Sequence, residues 1–256
     1  MIGNDLVDLR AREAAGKSGD TRFLARVFTT REAELIASSP SPDTALWILW
    51  AAKEAAYKVA KKLSPDVIFA HSRYEVIPDD AALTIDSDGS SVSEGAPPGR
   101  SVPARSVLRA GRVRLQGLDG LDGVVLPVEW RLSPTFVHCV AMEADGDFHS
   151  LRVAISARAE LDRDSTVYEP TDREQLSLAG RAAESLAVRR LARALAAEAG
   201  LGEVEIVRER HGSVFGPPRL YPRGGAAPLA GWDITLSHDG ELAAVALAND
   251  GSGPES

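Results

Sequence analysis

The segment WAAKEAAYKVAKK, residues 50–62, spaces Glu54, Lys58 and Lys61 four and then three residues apart, which puts them on one face of a helix. One carboxylate beside two ammonium groups suits a bound polyphosphate. The lysines neutralise phosphate oxygens and the glutamate helps to hold a divalent cation between them. The same spacing also makes an ordinary Glu-to-Lys surface pair. Against the surface pair, Leu46, Trp47, Leu49, Trp50 and Ala51 leave the helix little solvated surface, and a nearly encircled helix can turn its one charged stripe toward a cleft. A second carboxylate is then expected, and Asp5 and Asp8 in the N-terminal MIGNDLVDLR are the choices. Three residues apart on a strand, they face opposite sides, so only one of them serves.

Near the other end, WDITLSHDG places Ser237 and His238 where a strand meets a turn. A hydroxyl and an imidazole suit a phosphate oxygen, while the commoner reading is a hydrogen-bonded strand end. No G-x-S-x-G elbow accompanies them, so a hydrolase triad is a poor fit. The chain also lacks a glycine-rich phosphate loop and any Cys/His spacing for zinc.

These residues need elements to position them. Thr29 and Glu32 form a Thr-x-x-Glu capping box that starts a helix. Residues 44–62 run without Gly or Pro and predict a long helix ended by Pro65. YEVI, VRLQG, VVLPV and FVHCVAM then read as short strands of an antiparallel sheet. The single cysteine, Cys139, lies in the last of these runs and is expected to be a buried small hydrophobe. Residues 86–103, rich in Ser, Gly and Pro, read as a loop, and residues 249–256 as a disordered tail. After a turn at 144–147 the order repeats in outline: a strand LRVAIS, a long helix from about Asp172 to Glu198, then strands VEIV, DITLS and LAAVALA. Between them GSVFGPPRLYP reads as a turn-rich loop. The expected fold class is α+β, with two similar halves at 1–147 and 148–256, each a small antiparallel sheet packed with a long helix.

With 29 Lys plus Arg against 37 Asp plus Glu, the net charge of −8 argues against a nucleic-acid binder. The longest uncharged apolar stretch, 45–52, is far too short to span a bilayer, and no signal pattern opens the chain, so a cytoplasmic protein with no membrane partner is expected.

IGNDLVDL, RFLARVFTTREAELI, LWAAKEAAYK, GPPRL and DITLSHDG together resemble the 4′-phosphopantetheinyl transferase superfamily, the first three in the order of bacterial holo-acyl-carrier-protein synthases. The resemblance covers residues 1–63 and 181–248, with Asp5, Lys53, Glu54, Lys58, Ser237 and His238 at motif positions. It implies transfer of phosphopantetheine from coenzyme A to a serine of an apo carrier protein of fatty-acid, polyketide or peptide synthesis, releasing adenosine 3′,5′-bisphosphate. Carried across, Asp5 and Glu54 bind Mg²⁺, Lys58 contacts the pyrophosphate, and Lys53, Ser237 and His238 belong to the coenzyme A site. Arg181 and Arg189 on the second long helix are looser matches for the 3′-phosphate. Glu54, or a water that it orients, is the base.

The chain departs from the larger members of the family, which have an acidic residue two places after the metal-binding Asp; here that place is Val7. It is also about twice the length of a small synthase, so two fused halves resembling a pseudo-dimer would form the cleft within a monomer. The rival readings are a non-catalytic coenzyme A-binding module and an interaction protein. Arg10, Arg12, Lys17, Arg22, Arg26 and Arg31 make the stretch before Glu32 locally basic, suited to the acidic helix of a carrier protein.

Overall fold

The computed structural model describes residues 1–79, 107–144, 146–163, 170–175, 182–211 and 214–250. The predicted loop at 86–103 and residues 251–256 of the tail predicted over 249–256 lie outside them, while Asn249 is not tail but the last residue of a strand. The first part of the chain forms β1 (Ile2–Asp8), α1 (Thr21–Val27), α2 (Thr30–Ser38), α3 (Pro42–Leu63), β2 (Tyr74–Pro78), β3 (Val107–Leu115), β4 (Val125–Ser133) and β5 (Phe136–Met142). The strands make one sheet in the order β1-β5-β4-β3-β2, every pair antiparallel. The second part forms β6 (Arg152–Ala157), α4 (Arg158–Arg163), α5 (Asp172–Gln175), α6 (Ala182–Glu198), β7 (Val204–His211), β8 (Val214–Pro222), β9 (Trp232–Asp239) and β10 (Leu242–Asn249). Here β6-β10-β9 make one antiparallel sheet and β7-β8 a two-stranded ladder. The fold class is α+β, and no described helix is long and apolar enough to cross a membrane.

The helix α3 is the centre of the first core. Its Ala45, Leu46, Ile48, Leu49, Ala52, Ala56 and Val59 are buried against the sheet residues Val7, Val128, Trp130, Val137 and Cys139. So many alanines let the backbones approach closely, and Gly3 takes this to its limit. A Cβ at Gly3 would lie 2.1 Å from the Ala55 carbonyl oxygen and 3.0 Å from the Lys58 Cβ. The second core packs Val188, Leu191 and Leu195 of α6 on Ile206, Leu220, Ile234 and Val245. The two parts are joined by apolar contacts between sheet faces, Leu6 and Phe136 against Ile155, Leu242 and Ala244, with Ile2, Val140 and Met142 against Ala246.

One constellation occurs twice. Thr29 and Glu32 make the predicted capping box, with N–H to side-chain distances of 2.7 and 3.3 Å. The buried Glu32 also pairs with Lys53 of α3 at 2.8 Å and accepts the Val76 N–H of β2 at 2.7 Å. Thr171 and Glu174 make the same reciprocal bonds, and Glu174 pairs with Arg193 of α6 at 2.6 Å and accepts the Ile206 N–H of β7 at 2.9 Å.

Two expectations are corrected. GSVFGPPRLYP is not a loop from Val214 onward but β8, despite Pro217 and Pro218. It pairs with β7 alone, and a strand bonded on one side tolerates residues that have no N–H to give. The helix expected over 172–198 is described as the short α5 and the longer α6, with 176–181 outside the described residues.

Candidate functional site

The missing side chain at Gly3 brings β1 directly under α3, and the next inward-facing residue of the strand is Asp5. Lys58 Nζ donates to Asp5 Oδ1 at 3.0 Å and to the Asn4 carbonyl at 2.6 Å. Ser237 Oγ donates to the same Asp5 Oδ1 at 3.1 Å and accepts the Leu6 N–H at 3.1 Å. Asp5 Oδ2 makes no hydrogen bond with a described residue. One turn before Lys58, Glu54 is half-buried and its carboxylate makes no hydrogen bond or ion pair with a described residue. Burial, reinforced by the charge of Asp5 and partly offset by Lys58, pushes the Glu54 carboxyl up to about 7. Tyr57 on the same face is pushed up by burial and by Glu54.

The other aspartate is tied down. Asp8 accepts Arg10 Nε and Nη2, each at 2.9 Å, and the Arg10 N–H at 3.0 Å. Burial raises its carboxyl, but the bonds from Arg10 and from the Glu241 N–H outweigh this and leave it below the usual carboxylate range. Of the two, Asp5 is the one beside Lys58.

The outer edge of β1 is closed by side chains instead of by another strand. Its N–H groups at Ile2, Asn4, Leu6 and Asp8 donate to Asp233 Oδ2 (2.7 Å), Thr235 Oγ1 (3.1 Å), Ser237 Oγ (3.1 Å) and Asp239 Oδ2 (2.8 Å) of β9. The carbonyls of Ile2 and Asn4 accept Lys62 and Lys58 of α3, at 2.7 and 2.6 Å. Lys62 also donates to Asp233 Oδ1 at 2.7 Å and to the Ile234 carbonyl at 2.9 Å. An open edge invites foreign pairing and leaves polar groups unsatisfied; four acceptors and two lysines remove both problems. Asp233, Thr235, Asp239 and Lys62 were not singled out in the sequence. The signal was present as four oxygen-bearing side chains at every second position of 233–239, the period of one strand face.

The same period separates the Ser-His pair. Odd residues of β9 meet β1, while Ile234 and Leu236 face α6. His238 follows them, its Nδ1 3.4 Å from Glu184 Oε2 on α6. The structure therefore brings Ser237, but not His238, to Asp5. Lys53 is a further departure. Its side chain is fully buried and donates to Glu32 (2.8 Å) and to the carbonyls of His71 (3.1 Å) and Tyr74 (2.5 Å), so it faces the core and not the cleft. Arg189, matched to a phosphate role, is likewise buried, donating to the carbonyls of Ile206 (3.3 Å) and Ser185 (3.2 Å). Arg181 lies outside the described residues.

Asp5 and Glu54 fit a hard divalent cation such as Mg²⁺, which takes one or two carboxylates and completes its shell with water and phosphate. The charge of Asp5 adds to the burial that raises the Glu54 carboxyl, and neither Asp5 Oδ2 nor Glu54 has a hydrogen-bond partner among the described residues, so a cation would relieve the pair. Among the described residues no cluster of three or more His, Cys, Asp or Glu could hold a metal. Compared with known proteins, residues 1–83 match a model of the 4′-phosphopantetheinyl transferase superfamily, and Asp5, Glu54 and Lys58 fall within that span. No curated protein matches the chain.

Proposed function

From the match of residues 1–83 to the superfamily model and the geometry around Asp5, we propose that this protein transfers 4′-phosphopantetheine from coenzyme A to a serine of an apo carrier protein. The observation that carries the reading is the convergence of Asp5 of β1 with Glu54 and Lys58 of α3. Asp5 and Glu54 hold Mg²⁺, which when bound neutralises charge on the pyrophosphate. Lys58 lies beside them and stabilises charge as it grows on the departing phosphate. The carrier serine Oγ forms a bond to the β-phosphorus as the bond from that phosphorus to the bridging oxygen breaks, releasing adenosine 3′,5′-bisphosphate. Glu54, or a water that it orients, takes the serine proton. His238, half-exposed at the end of β9, is the member of the Ser-His pair left to meet a nucleotide phosphate.

The division of labour follows the chain: residues 1–147 supply the carboxylates and Lys58, and residues 148–256 supply the β9 edge against which Asp5 is set. For the carrier protein the docking face is the basic stretch near the N-terminus. Arg12, Arg22, Arg26 and Arg31 are exposed and make no ion pair with a described residue, and Phe23, next to Arg22 in α1, packs with Trp47 and Trp50. Acidic partners are steered to such a surface.

A thermal-shift titration with coenzyme A, with and without Mg²⁺, tests the site. Stabilisation that depends on Mg²⁺ supports a transferase site. Equal stabilisation without metal supports a non-catalytic coenzyme A module, and no stabilisation an interaction protein.

A further inference from the structure

We propose that Ser237 is a positioning residue for Asp5 and not a ligand of the nucleotide phosphates. The inference rests on the metal site described under the proposed function. Ser237 is 6% exposed, and both hydrogen-bonding directions of its hydroxyl are engaged: it accepts from the Leu6 N–H and donates to Asp5 Oδ1, each at 3.1 Å. A phosphate oxygen needs a donor, and the one proton of this hydroxyl already points at a carboxylate.

The neighbouring rung shows the same habit. Two residues earlier, Thr235 Oγ1 accepts the Asn4 N–H at 3.1 Å and donates to Asn4 Oδ1 at 3.0 Å. Both hydroxyls thus hold the β1 backbone and one β1 side chain. The consequence differs because Asn4 is buried beside His138, at 3.2 Å, whereas Asp5 faces Lys58 and Glu54. Ser237 and Lys58 converge on Asp5 Oδ1 and fix the plane of the carboxylate. Oδ2 has no hydrogen-bond partner among the described residues and is left for the cation. Groups that orient a ligand in this way change metal affinity by about 10- to 100-fold when removed.

The test uses Mn²⁺ as a spectroscopic probe, titrated by electron paramagnetic resonance into the full-length protein without substrates, alongside the KM for coenzyme A at saturating metal. Ser237→Ala is expected to weaken Mn²⁺ binding by about tenfold or more and to leave the KM for coenzyme A within about twofold. Ser237→Thr, which keeps the hydroxyl and takes the residue type of the neighbouring rung, restores binding to within about threefold. Thr235→Ala breaks that rung without touching Asp5 and is expected to leave Mn²⁺ affinity within about threefold. A Ser237→Ala protein that binds Mn²⁺ as well as wild type, with or without a raised KM for coenzyme A, overturns the inference. So does an equal Mn²⁺ loss in Thr235→Ala, which would mean general loosening of the edge. A wild type that binds no Mn²⁺ overturns the inference together with the metal site. A wild type with the expected Mn²⁺ pattern that transfers nothing upholds the inference and overturns the proposed activity.

Discussion

Glu32 and Glu174 occupy matching places in the two parts of the chain, yet the long helices they clasp have different outer faces. Each glutamate closes a capping box, pairs with a cation on the long helix and accepts the N–H of a strand that follows it. Counted from those cations, Lys53 and Arg193, the positions of Glu54 and Lys58 on α3 correspond to Ala194 and Glu198 on α6. The antiparallel pairings can be matched in the same way. Leu9 N–H bonds to the Thr135 carbonyl and Arg158 N–H to the Glu241 carbonyl, and counting back four residues from each makes Ala154 the counterpart of Asp5. The clasp is thus used twice, and among the described residues the carboxylates and lysine of the candidate site lie beside only one of the two. The second part of the chain contributes an edge: its β9 holds β1, and with it Asp5, in register. Shared architecture says little about chemistry, which resides in a few side chains placed on it.

The largest effect should come from the face that differs. Glu54→Gln and Asp5→Asn are expected to lower transfer by about 10³-fold or more, while Ala194→Glu on α6 leaves it unchanged in the same steady-state assay. A comparable loss from the α6 variant would break the asymmetry.

The clasps themselves should differ in degree. Lys53→Met leaves Glu32 with its charge enclosed and unpaired, at a cost of about 3–5 kcal/mol in denaturant unfolding. Arg193→Met should cost less, since its side chain is 22% exposed where that of Lys53 is 0%. A larger loss from Arg193→Met would reverse the ranking of the two clasps.

Glu54 links the active face to pH. Its native carboxyl lies at about 7, above the ordinary 4.5, so the native state binds the proton more tightly than the unfolded chain does. That contribution to stability is full below about pH 4.5, declines between there and about 7, and is absent above, a difference on the order of 3 kcal/mol in metal-free protein. Glu54→Gln should therefore raise the melting temperature at pH 8 by several degrees while removing activity. A melting temperature that drops in Glu54→Gln at pH 8 would contradict the desolvated carboxylate.

The smallest effect concerns the N-terminal basic face. Reversing Arg22 and Arg26 to Glu should raise the KM for the carrier protein several-fold, more so at low salt, and leave that for coenzyme A unchanged. Equal changes in both constants would mean that the face is not a docking surface.

The local devices were legible in the sequence, because each is set by neighbours in the chain. The Thr29 and Glu32 capping box, the helix spanning 44–62 and the strands around Cys139 follow from cap chemistry, alanine content and β-branched runs. Lys53 was misplaced because α3 is apolar on nearly every side, and spacing cannot tell which lysine points into the core and which into a cleft. β8 was missed because its prolines read as a turn, and only its one-sided pairing allows them. The divergence of Ser237 and His238 was readable from strand alternation alone. The closure of β1 was not, since it joins residues 231 apart in the chain.

The central claim is that one chain, through Asp5 and Glu54, moves phosphopantetheine from coenzyme A to a carrier serine. Intact-mass spectrometry of several apo carrier proteins after incubation with this protein, coenzyme A and Mg²⁺ tests it most directly. The account predicts one added phosphopantetheine on at least one carrier with wild type and none with Asp5→Asn. Carriers left unmodified by folded wild type, or modified equally by Asp5→Asn, would contradict it.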